Sequence, residues 1–443
     1  MRRRRPRPPA AAPVEVVIES LSHEGRGVAR VNGKTVFVEG ALAGERVRAR
    51  YLLQHRRHDE TVATEILEPA PERVTPPCQH YGVCGGCSLQ HLHRAAQLRR
   101  MESVLIEHLH HAGGIAPRTV LPPLNSPGEG YRHRARLSAR FLTNKKRAQV
   151  GFRERRSNLI TEITRCEVLH PRVGTLLPDL SALVSRLSVA DAVPQIEIAV
   201  SDQDCGLVLR HVRPVNAADK EQLLAFEREH GVRFYLQPGG ESTVAPLDPD
   251  RPPALSYKLE EFDVEIRFGP TDFTQVNFHI NRQLVNRVVE LLDPGAREQV
   301  LDLFCGLGNF SLPLARRAEQ VTGVEGLAHL VAGARGNAVH NGIENVEFVV
   351  ADLVRDALEA PSLQRRWDKI LLDPPRAGAW EVLNALKYDS VQALIYVSCN
   401  PATFARDAAL LVNEKGYVLE AVGVVDMFPH TAHVECLARF SRR

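Results

Sequence analysis

The segment "YVSCNPATFARD" (residues 396–407) places Cys399 where a catalytic thiol could act. The preceding run "ALIYVSC" is apolar and predicts a short buried strand that ends at this cysteine. The turn signal Asn400-Pro401 and a helix-like segment follow at once. Because ligands of open α/β sheets bind beyond the carboxyl ends of the strands, Cys399 is a candidate site residue. The competing interpretation is an inert thiol that packs at the strand end.

Three acidic residues end other predicted strands of the same region. Glu325 ends "VTGVE", Asp352 ends "VVAD" and Asp373 follows "KILL". An acid nineteen residues after Gly306 can hold the hydroxyls of a ribose, and Asp352 can accept a hydrogen bond from an adenine amino group. The turn "CGLGN" lacks the third glycine of a pyrophosphate-binding loop. The pattern therefore predicts a pocket for S-adenosylmethionine (SAM), which carries ribose and adenine but no phosphate.

The order of predicted elements indicates a multidomain α/β protein. From 271 to 443, helix-like and strand-like segments alternate, which predicts a Rossmann-like SAM-dependent methyltransferase domain. Residues 14–72 are β-rich runs separated by glycine-containing turns, and they predict a small OB-like barrel of about five strands. Residues 73–270 mix helices and strands and predict a central α+β domain. Residues 1–13 contain five arginines and predict a disordered basic arm.

The charge distribution favours nucleic-acid contact locally rather than globally. The 443-residue chain has a net charge of +3, and subtracting the five arginines of the arm leaves −2. Residues 131–156 carry ten Lys and Arg against one Glu, with aromatic residues between them. Such a block can stack on bases and contact phosphates, and Arg132, Arg134 and Arg136 are the candidates for backbone contacts. The sequence contains no apolar run of about 18 residues and no secretory signal, so we expect no membrane and a cytoplasmic location.

Eight cysteines without an export signal favour metal binding or catalysis over disulfides. Cys78, Cys84 and Cys87 have the spacing C-x5-C-x2-C, which leaves one ligand missing for a closed zinc or four-iron site. Cys166 in "TRCEVLHP" is the candidate fourth ligand, and Cys205 is the weaker alternative. The spacing alone is compatible with both zinc and iron–sulfur.

Five motifs between residue 270 and residue 443 together resemble those of the SAM-dependent RNA uracil-C5 methyltransferases. They are "FTQVN", "LDLFCGLGNF", "LLDPPRAG", "VSCNPATFARD" and "HTAHVE". In such a reaction a thiolate adds to C6 of uracil, which makes C5 nucleophilic toward the SAM methyl group. The resemblance implies that Cys399 is the nucleophile and that Glu435 is the general base for the C5 proton, with His433 as the competing base.

The resemblance also implies further site residues. The SAM site would be lined by Gln275, Phe304 and Asn309, beside the acids Glu325 and Asp352. Asp373 would contact SAM or the substrate. Phe273 would stack near the target base, whereas Cys305 and Cys436 would only pack. Two rival functions remain. "DPP" is typical of amino-methyltransferases, although Arg376 stands where those enzymes carry an aromatic residue, and a SAM-type fold could also serve RNA binding without catalysis.

The N-terminal half carries a second resemblance. "VCGGCSLQH" with the later "RCEVLHP" is similar to the segments of family members that hold a [4Fe–4S] cluster, and residues 14–72 resemble a TRAM domain. This implies a cluster of structural or RNA-shaping role on Cys78, Cys84, Cys87 and Cys166. Family members with both features act on bacterial 23S rRNA. The resemblance therefore implies 23S rRNA as the partner, with tRNA as the alternative substrate. It implies no obligate protein partner.

Overall fold

The computed structural model of the chain describes residues 12–252, 254–353, 355 and 361–443. Residues 1–11 of the predicted basic arm lie outside the described residues. The chain forms two compact units. The first holds the described residues up to Arg100 together with 154–157 and 430–433, and the second holds the rest. Among the described residues, no helix has the length and apolarity needed to cross a bilayer.

The first unit is built on one six-stranded sheet. Its strands are β1 (Val14–Val17), β2 (Ser20–Leu21), β3 (Gly27–Val31), β4 (Lys34–Glu39), β5 (Arg46–Gln54) and β6 (His58–Glu68). The order is β1-β5-β6-β4-β3-β2, with one parallel pair, β4 and β6. Alternating apolar residues such as Val36 and Val38 fill its core. The sheet has one strand more than predicted, because the short β2 carries too few residues to show a periodic pattern.

The second unit begins with a mixed sheet in its central region. Helix α1 (Arg94–Gly113) starts in the first unit and belongs to the second from Met101 onward. The other elements are β7 (Thr119–Val120), β8 (Arg134–Leu142), β9 (Arg147–Gly151), α2 (Pro171–Gly174), α3 (Leu177–Arg186), β10 (Gln195–Val200), β11 (Cys205–Arg210), α4 (Ala217–His230), β12 (Arg233–Gln237) and β13 (Ala245–Pro246). Strands β13-β12-β11-β10-β8-β9 form the sheet in that order. Its edge strand β9 is covered by α3, whose Ser185 and Ser181 accept hydrogen bonds from the Ala148 and Val150 amides at 2.8 and 3.0 Å.

The C-terminal region of this unit alternates helices and strands, as predicted. The elements are β14 (Ser256–Leu259), β15 (Val264–Arg267), α5 (Phe278–Leu292), β16 (Gln299–Leu303), α6 (Ser311–Ala315), β17 (Gln320–Glu325), α7 (Ala328–His340), β18 (Val346–Val350), β19 (Lys369–Leu372), α8 (Trp380–Ala385), β20 (Ala393–Ser398), α9 (Pro401–Asn413), β21 (Tyr417–Val425) and β22 (Glu435–Arg442).

An eight-stranded sheet organises these elements in the order β18-β17-β16-β19-β20-β22-β21-β7. The five strands β16 to β20 run parallel to one another. Strand β22 lies between β20 and β21 and runs antiparallel to both. The chain runs outward from β16 to β18 and then returns to the other side of β16 with β19. The gap between the ends of β16 and β19 is therefore the topological switch point of the sheet, where ligands of this fold class bind.

Candidate active site

The strand register brings the predicted site segments to the same edge of the large sheet. Leu303 at the end of β16 pairs with Leu372 at the end of β19, and Leu372 pairs with Tyr396 in β20. Because these strands are parallel, Phe304 and Asp373 follow directly on either side of the switch point. Cys399 lies one residue beyond the end of β20 on the same edge.

Cys399 and Glu435 lie opposite each other at the open end of an antiparallel strand pair. In β20 and β22, Ser398 pairs with Cys436, so the next positions outward are Cys399 and Glu435. Side chains alternate along a strand, so these two point to the opposite face from Ser398 and Cys436. The thiol of Cys399 is half-buried, and Glu435 is 7% exposed. Two groups suited to nucleophile and base thus share one face.

Burial and neighbouring charges shift the titration of this pair. Burial raises the pKa of the Cys399 thiol, the carboxylates of Glu435 and Asp373 raise it further, and the Arg376 guanidinium opposes them. Burial also raises the pKa of Glu435 to about 8, with Asp373 adding to the shift and Arg376 again opposing it. Burial raises the pKa of Asp373 to about 7. Cys399, Glu435, Asp373 and Arg376 therefore form one electrostatically coupled cluster.

The first turn of α9 holds the loop that carries Arg376. Asn400 caps this helix, and its Nδ2 donates to the Arg376 carbonyl at 2.9 Å. The Thr403 hydroxyl donates to the same carbonyl at 3.1 Å. One guanidinium nitrogen of Arg406 donates to the Ala377 carbonyl at 3.0 Å. Residues directly after the candidate nucleophile thus fix the loop after β19.

Asp407 completes this attachment from inside the protein. Its side chain is fully buried, and its Oδ2 accepts from the Ala379 amide and the Tyr396 hydroxyl, both at 2.7 Å. Its Oδ1 accepts from Arg406 Nε at 2.8 Å. Gly378 has a φ of +83°, and a Cβ there would come within 2.5 Å of Asp407 Oδ2. The loop and the carboxylate therefore fit each other closely only with glycine at this position.

The turn after β16 has the backbone shape of a ligand cradle. Phe304, Gly306 and Gly308 have φ values of 66°, 54° and 89°, in the left-handed region. The amides of Phe304 and Cys305 both donate to the Val324 carbonyl, at 2.9 and 3.1 Å. The turn is thereby fastened to β17, the strand that ends in Glu325.

Glu325 lies beside this turn at the end of β17. One carboxylate oxygen accepts from the Gly306 amide at 3.3 Å and the other from the Leu327 amide at 3.0 Å. Asp352 follows β18 and is half-buried; the adjacent Ala351 amide donates to the Glu325 carbonyl at 3.0 Å. Both predicted acids therefore lie at one end of neighbouring strands, where a ribose and an adenine could meet them.

Asn309 is held from the other side by α5 and β14. Its Oδ1 accepts from Asn281 Nδ2 at 2.8 Å and from the Tyr257 hydroxyl at 2.9 Å, and its Nδ2 donates to Asn281 Oδ1 at 3.0 Å. Its amide is directed to these partners, so the contribution of Asn309 is to fix the turn. Gln275 is half-buried in the segment before α5, and Phe273 is 69% exposed there, as a stacking platform would be.

Asp302 is a buried acid of this region that the sequence interpretation did not single out. It lies within β16, and one carboxylate oxygen accepts a hydrogen bond from Ser311 at the start of α6. The other oxygen has no hydrogen-bond partner within the described part of the chain. Burial, followed by the charges of Asp373 and Glu325, raises the pKa of Asp302 to about 7. An acidic residue inside the apolar strand "VLDLF" was the available signal.

The competing base His433 differs in position from the expectation. It was expected to share a strand face with Glu435, but β22 begins at Glu435, so His433 precedes the strand. Its side chain is exposed, whereas Glu435 is buried. Cys305 and Cys436 are buried at 4% and 0% exposure, as packing residues are.

The candidate cluster ligands occupy two separate segments. Cys78, Cys84 and Cys87 are half-buried in the first unit, and the Gly86 amide approaches Cys84 Sγ at 3.4 Å. Arg155 donates to the carbonyls of Cys84 and Cys87 and so fixes the backbone of this segment. The half-buried Cys166 belongs to the second unit, where its amide donates to the Gly174 carbonyl at 2.8 Å. The fully buried alternative Cys205 lies in β11, where burial raises its pKa to about 12.

The basic block folds as the hairpin β8–β9, and its arginines differ in environment. Arg136 is 65% exposed and pairs with Glu197 at 3.1 Å. Arg134 points inward: burial lowers its pKa, and its guanidinium lies 6.0 Å from the Phe268 ring. Arg132 donates to the Arg134 carbonyl at 2.9 Å. Of the three candidates, Arg136 has the geometry best suited to an RNA backbone.

The chain matches two protein families, the TRAM domain over residues 13–50 and "tRNA (Uracil-5-)-methyltransferase" over residues 254–443. It is 50% identical over 442 residues to 23S rRNA (uracil(1939)-C(5))-methyltransferase RlmD of Alkalilimnicola ehrlichii, covering 100% of this chain and 99% of the relative. The identity to the protein of the same description from Nitrosococcus oceani is 51% over 438 residues, 98% of each chain.

Among solved structures, the chain resembles a Pyrococcus abyssi tRNA (uracil-54, C5)-methyltransferase in complex with S-adenosyl-L-homocysteine. The TM-score is 0.74 at 25% identity, and the match covers 96% of this chain and 99% of that one. These matches confirm the predicted fold class, apart from the cluster in its central domain, and the predicted family. By its identity along the whole length of these relatives, the chain belongs to the RlmD family of 23S rRNA uracil-C5 methyltransferases.

Proposed function

We propose that this chain transfers the methyl group of SAM to C5 of a uridine in 23S rRNA. The observation that carries this proposal is the pairing of Cys399 with Glu435 across β20 and β22, beside the switch point of a SAM-type fold. The full-length identity to RlmD proteins supports the rRNA substrate. An rRNA substrate implies that the enzyme acts in the cytoplasm.

In the proposed reaction, the Cys399 thiolate forms a bond to C6 of the uracil. The electron pair of the C5–C6 double bond moves into the ring as an enolate, and C5 then attacks the methyl carbon of SAM. Glu435 takes the C5 proton, the C5–C6 double bond re-forms, and the thiolate leaves. The step balances: the RNA gains a methyl group, S-adenosylhomocysteine would leave with the electron pair of the broken S–CH3 bond, and the C5 proton passes to Glu435 and then to water.

The proposed SAM pocket uses the turn after β16 and the acids around it. When bound, SAM supplies an electrophilic methyl group. Glu325 and Asp352 offer carboxylate acceptors at adjacent strand ends, and the left-handed turn at Phe304 and Gly306 lets backbone approach closely. We assign Gln275, Asn309 and Asp373 to the same pocket, with Asn309 acting through the turn that it fixes. These carboxylate acceptors fit a ligand that is rich in hydroxyl and amino groups.

The overall architecture does not by itself distinguish rRNA from tRNA. The similar solved enzyme from Pyrococcus abyssi is described as acting on uracil 54 of tRNA, and it matches this chain over nearly its whole length. The twofold higher identity to RlmD proteins favours rRNA for this chain. In either RNA, a paired uridine must be flipped out of its stack before Cys399 can reach C6.

The experiment is tritium release from 23S rRNA transcribed with [5-³H]uridine, with a tRNA transcript treated in the same way. We expect release from rRNA in the presence of SAM, because C5 substitution expels the labelled hydrogen. Release from tRNA alone would keep the chemistry but contradict the substrate. Methyl incorporation without tritium release would indicate an amine or ribose target and contradict the mechanism.

Two variants and a control assign the roles within the pair. Cys399→Ala should abolish turnover while SAM binding persists. Glu435→Gln should accumulate a methylated protein–RNA adduct that survives denaturing electrophoresis, because the C5 proton is not removed. Cys436→Ala, which changes the buried thiol on the opposite face, should release tritium normally. Full activity of Cys399→Ala would contradict the proposed nucleophile.

We also propose that Cys78, Cys84, Cys87 and Cys166 ligate a [4Fe–4S] cluster. Support comes from four thiolates of the kind that this cluster requires and from the Gly86 amide directed at Cys84 Sγ. Methyl transfer from SAM by the route above needs no electron transfer, so we assign the cluster a structural or RNA-shaping role.

A further inference from the structure

Trp380 is an exposed aromatic residue at the end of the loop that leaves the candidate active site at Asp373. It is the first residue of α8 and ends the loop that starts at Asp373. Its side chain is 37% exposed, whereas the chain's other tryptophan, Trp367, is 2% exposed in the core. A large ring left accessible at this position can offer a face to a base.

The surroundings of Trp380 hold its ring in place. The Arg406 guanidinium lies 5.4 Å from the ring centroid, within the range of a cation–π contact. Arg406 is itself fixed by the Asp407 carboxylate and the Ala377 carbonyl. The amide of Ala379, the residue before Trp380, donates to Asp407 at 2.7 Å. The ring is therefore preorganised, which reduces the entropy lost when a ligand stacks on it.

The position of this ring also fits an RNA strand. Asn400, next to the candidate nucleophile, donates to the Arg376 carbonyl in the same loop that leads to Trp380. Pro375, Arg376 and Ala377 are exposed between these points. The RNA that presents a flipped uridine to Cys399 must continue over neighbouring surface, and its next bases have lost a stacking partner.

We propose that Trp380 is a stacking subsite for a nucleobase that neighbours the target uridine. Arg406 supports the ring, and the cationic guanidiniums of Arg406 and Arg376 favour the phosphates of the same nucleotides. The ligand class is a single unstacked RNA base, which a tryptophan face accepts with little regard to its identity. This inference rests on the proposed RNA substrate and adds a contact outside the reacting base.

The first test uses intrinsic fluorescence, because only two tryptophans are present and one is buried. A 23S rRNA fragment that contains the uridine modified by RlmD relatives is added, and iodide quenching is measured with excitation selective for tryptophan. We expect the RNA to protect Trp380 from iodide. In Trp380→Phe the remaining emission should be insensitive to both iodide and RNA. Unchanged iodide quenching of the wild type at saturating RNA would overturn the proposal.

The second test measures KM for the RNA fragment by tritium release. Trp380→Ala should raise KM about tenfold, in line with the loss of one stacked base, with little change in KM for SAM. Trp380→Phe should recover to within about threefold of the wild type, because a phenyl ring still stacks. Val339→Ala, at an 83% exposed site on α7, serves as the matched surface control and should behave as the wild type.

The outcomes separate this inference from the proposed function. Wild-type enzyme that releases no tritium from rRNA refutes the function itself. Wild-type release combined with an unchanged KM in Trp380→Ala refutes only the stacking subsite. An equal loss in the Ala and Phe variants also refutes stacking, since it would show that packing of the indole rather than an aromatic face is needed.

Discussion

At the scale of single residues, Glu435 has an environment that favours the protonated carboxyl at neutral pH. It lies almost fully inside the protein, close to Asp373, and these factors raise its pKa to about 8. A base with this pKa is mostly protonated at pH 7 and becomes competent as the pH rises. Its partner Cys399 shifts in the same direction, since burial raises the thiol pKa above its usual value of 9.0.

We therefore expect single-turnover tritium release to increase with pH through about 8, because the ionised carboxylate is the active form. Methyl transfer onto the RNA, measured in the same samples, should keep increasing at higher pH because it depends on the thiolate. In Glu435→Gln, tritium release should be lost, and methyl transfer should persist with its pH dependence shifted to lower pH, because the Glu435 carboxylate raises the pKa of the Cys399 thiol. A release rate that is constant or falls between about pH 6.5 and 9 would contradict Glu435 as the base.

Part of this site was predictable from single residues. Cys399, Glu325 and Asp373 each follow an apolar run, and strand ends of a parallel sheet meet at one edge whatever the loops between them do. Asp302 was not predictable in this way. Its raised pKa arises first from burial and then from Asp373 and Glu325, which approach it only through the pairing of β16 with β17 and β19.

At the scale of elements, the attachment of α9 to the loop after β19 positions Arg376. Asp407 holds the Ala379 amide with a charge-assisted hydrogen bond, and the neighbouring side chains hold two loop carbonyls. Arg376 is the positive charge that favours ionisation of both Cys399 and Glu435. A loosened loop would therefore weaken the proposed catalytic pair without a change in either residue.

Asp407→Asn should reduce the turnover number by about ten- to a hundredfold, since small displacements of catalytic groups have effects of this size. SAM affinity should change little, and tritium release should shift to higher pH because the counter-charge is less well placed. The matched control is Asp219→Asn, another buried acid, whose carboxylate accepts from the amides of Ser188 and of Asn216, the residue that caps α4 in the central region. The control should lower thermal stability without the change in turnover, and equal kinetic effects would indicate general destabilisation instead.

Sequence patterns could not reveal this attachment. "FARD" was recognised as part of a motif, but its aspartate contacts residues 28 positions earlier, at Ala379, through a helix-to-loop packing that no local periodicity encodes. The strand β22 is a similar case. Its insertion between β20 and β21 decides that Glu435 faces Cys399, and this depends on the sheet order rather than on the spacing of the two residues.

At the scale of the whole molecule, the proposed cluster joins parts of the chain that lie far apart in sequence. Cys78 and Cys166 are 88 positions apart in the sequence, so a shared cluster would cross-link the ends of a long loop. A cross-link of a long loop restricts the unfolded chain and stabilises the fold. The effect of removing it should therefore appear in stability and RNA affinity before it appears in chemistry.

Anaerobically purified wild-type protein should contain about four iron and four sulfide per chain. Cys84→Ser should lose both, melt at a lower temperature and bind the rRNA fragment several times more weakly, while bound RNA is still methylated. Cys205→Ala, which removes a buried strand thiol, should retain the iron. Zinc in place of iron would contradict the assigned cluster, and unchanged stability and RNA affinity in Cys84→Ser would contradict its structural role.

The buried carboxyl of Asp302, with one oxygen that has no hydrogen-bond partner in the described part of the chain, affects how the pocket would discriminate between SAM and its demethylated product. SAM is a cation, and its demethylated product is neutral. Asp302 and Asp373, with pKa values of about 7, ionise more readily next to a cation and take protons back when that charge disappears. A SAM cation bound beside these acids would therefore favour their ionised forms, and the neutral product would favour their protonated forms. We therefore expect the affinity for SAM, relative to that for its demethylated product, to increase as the pH rises through about 7.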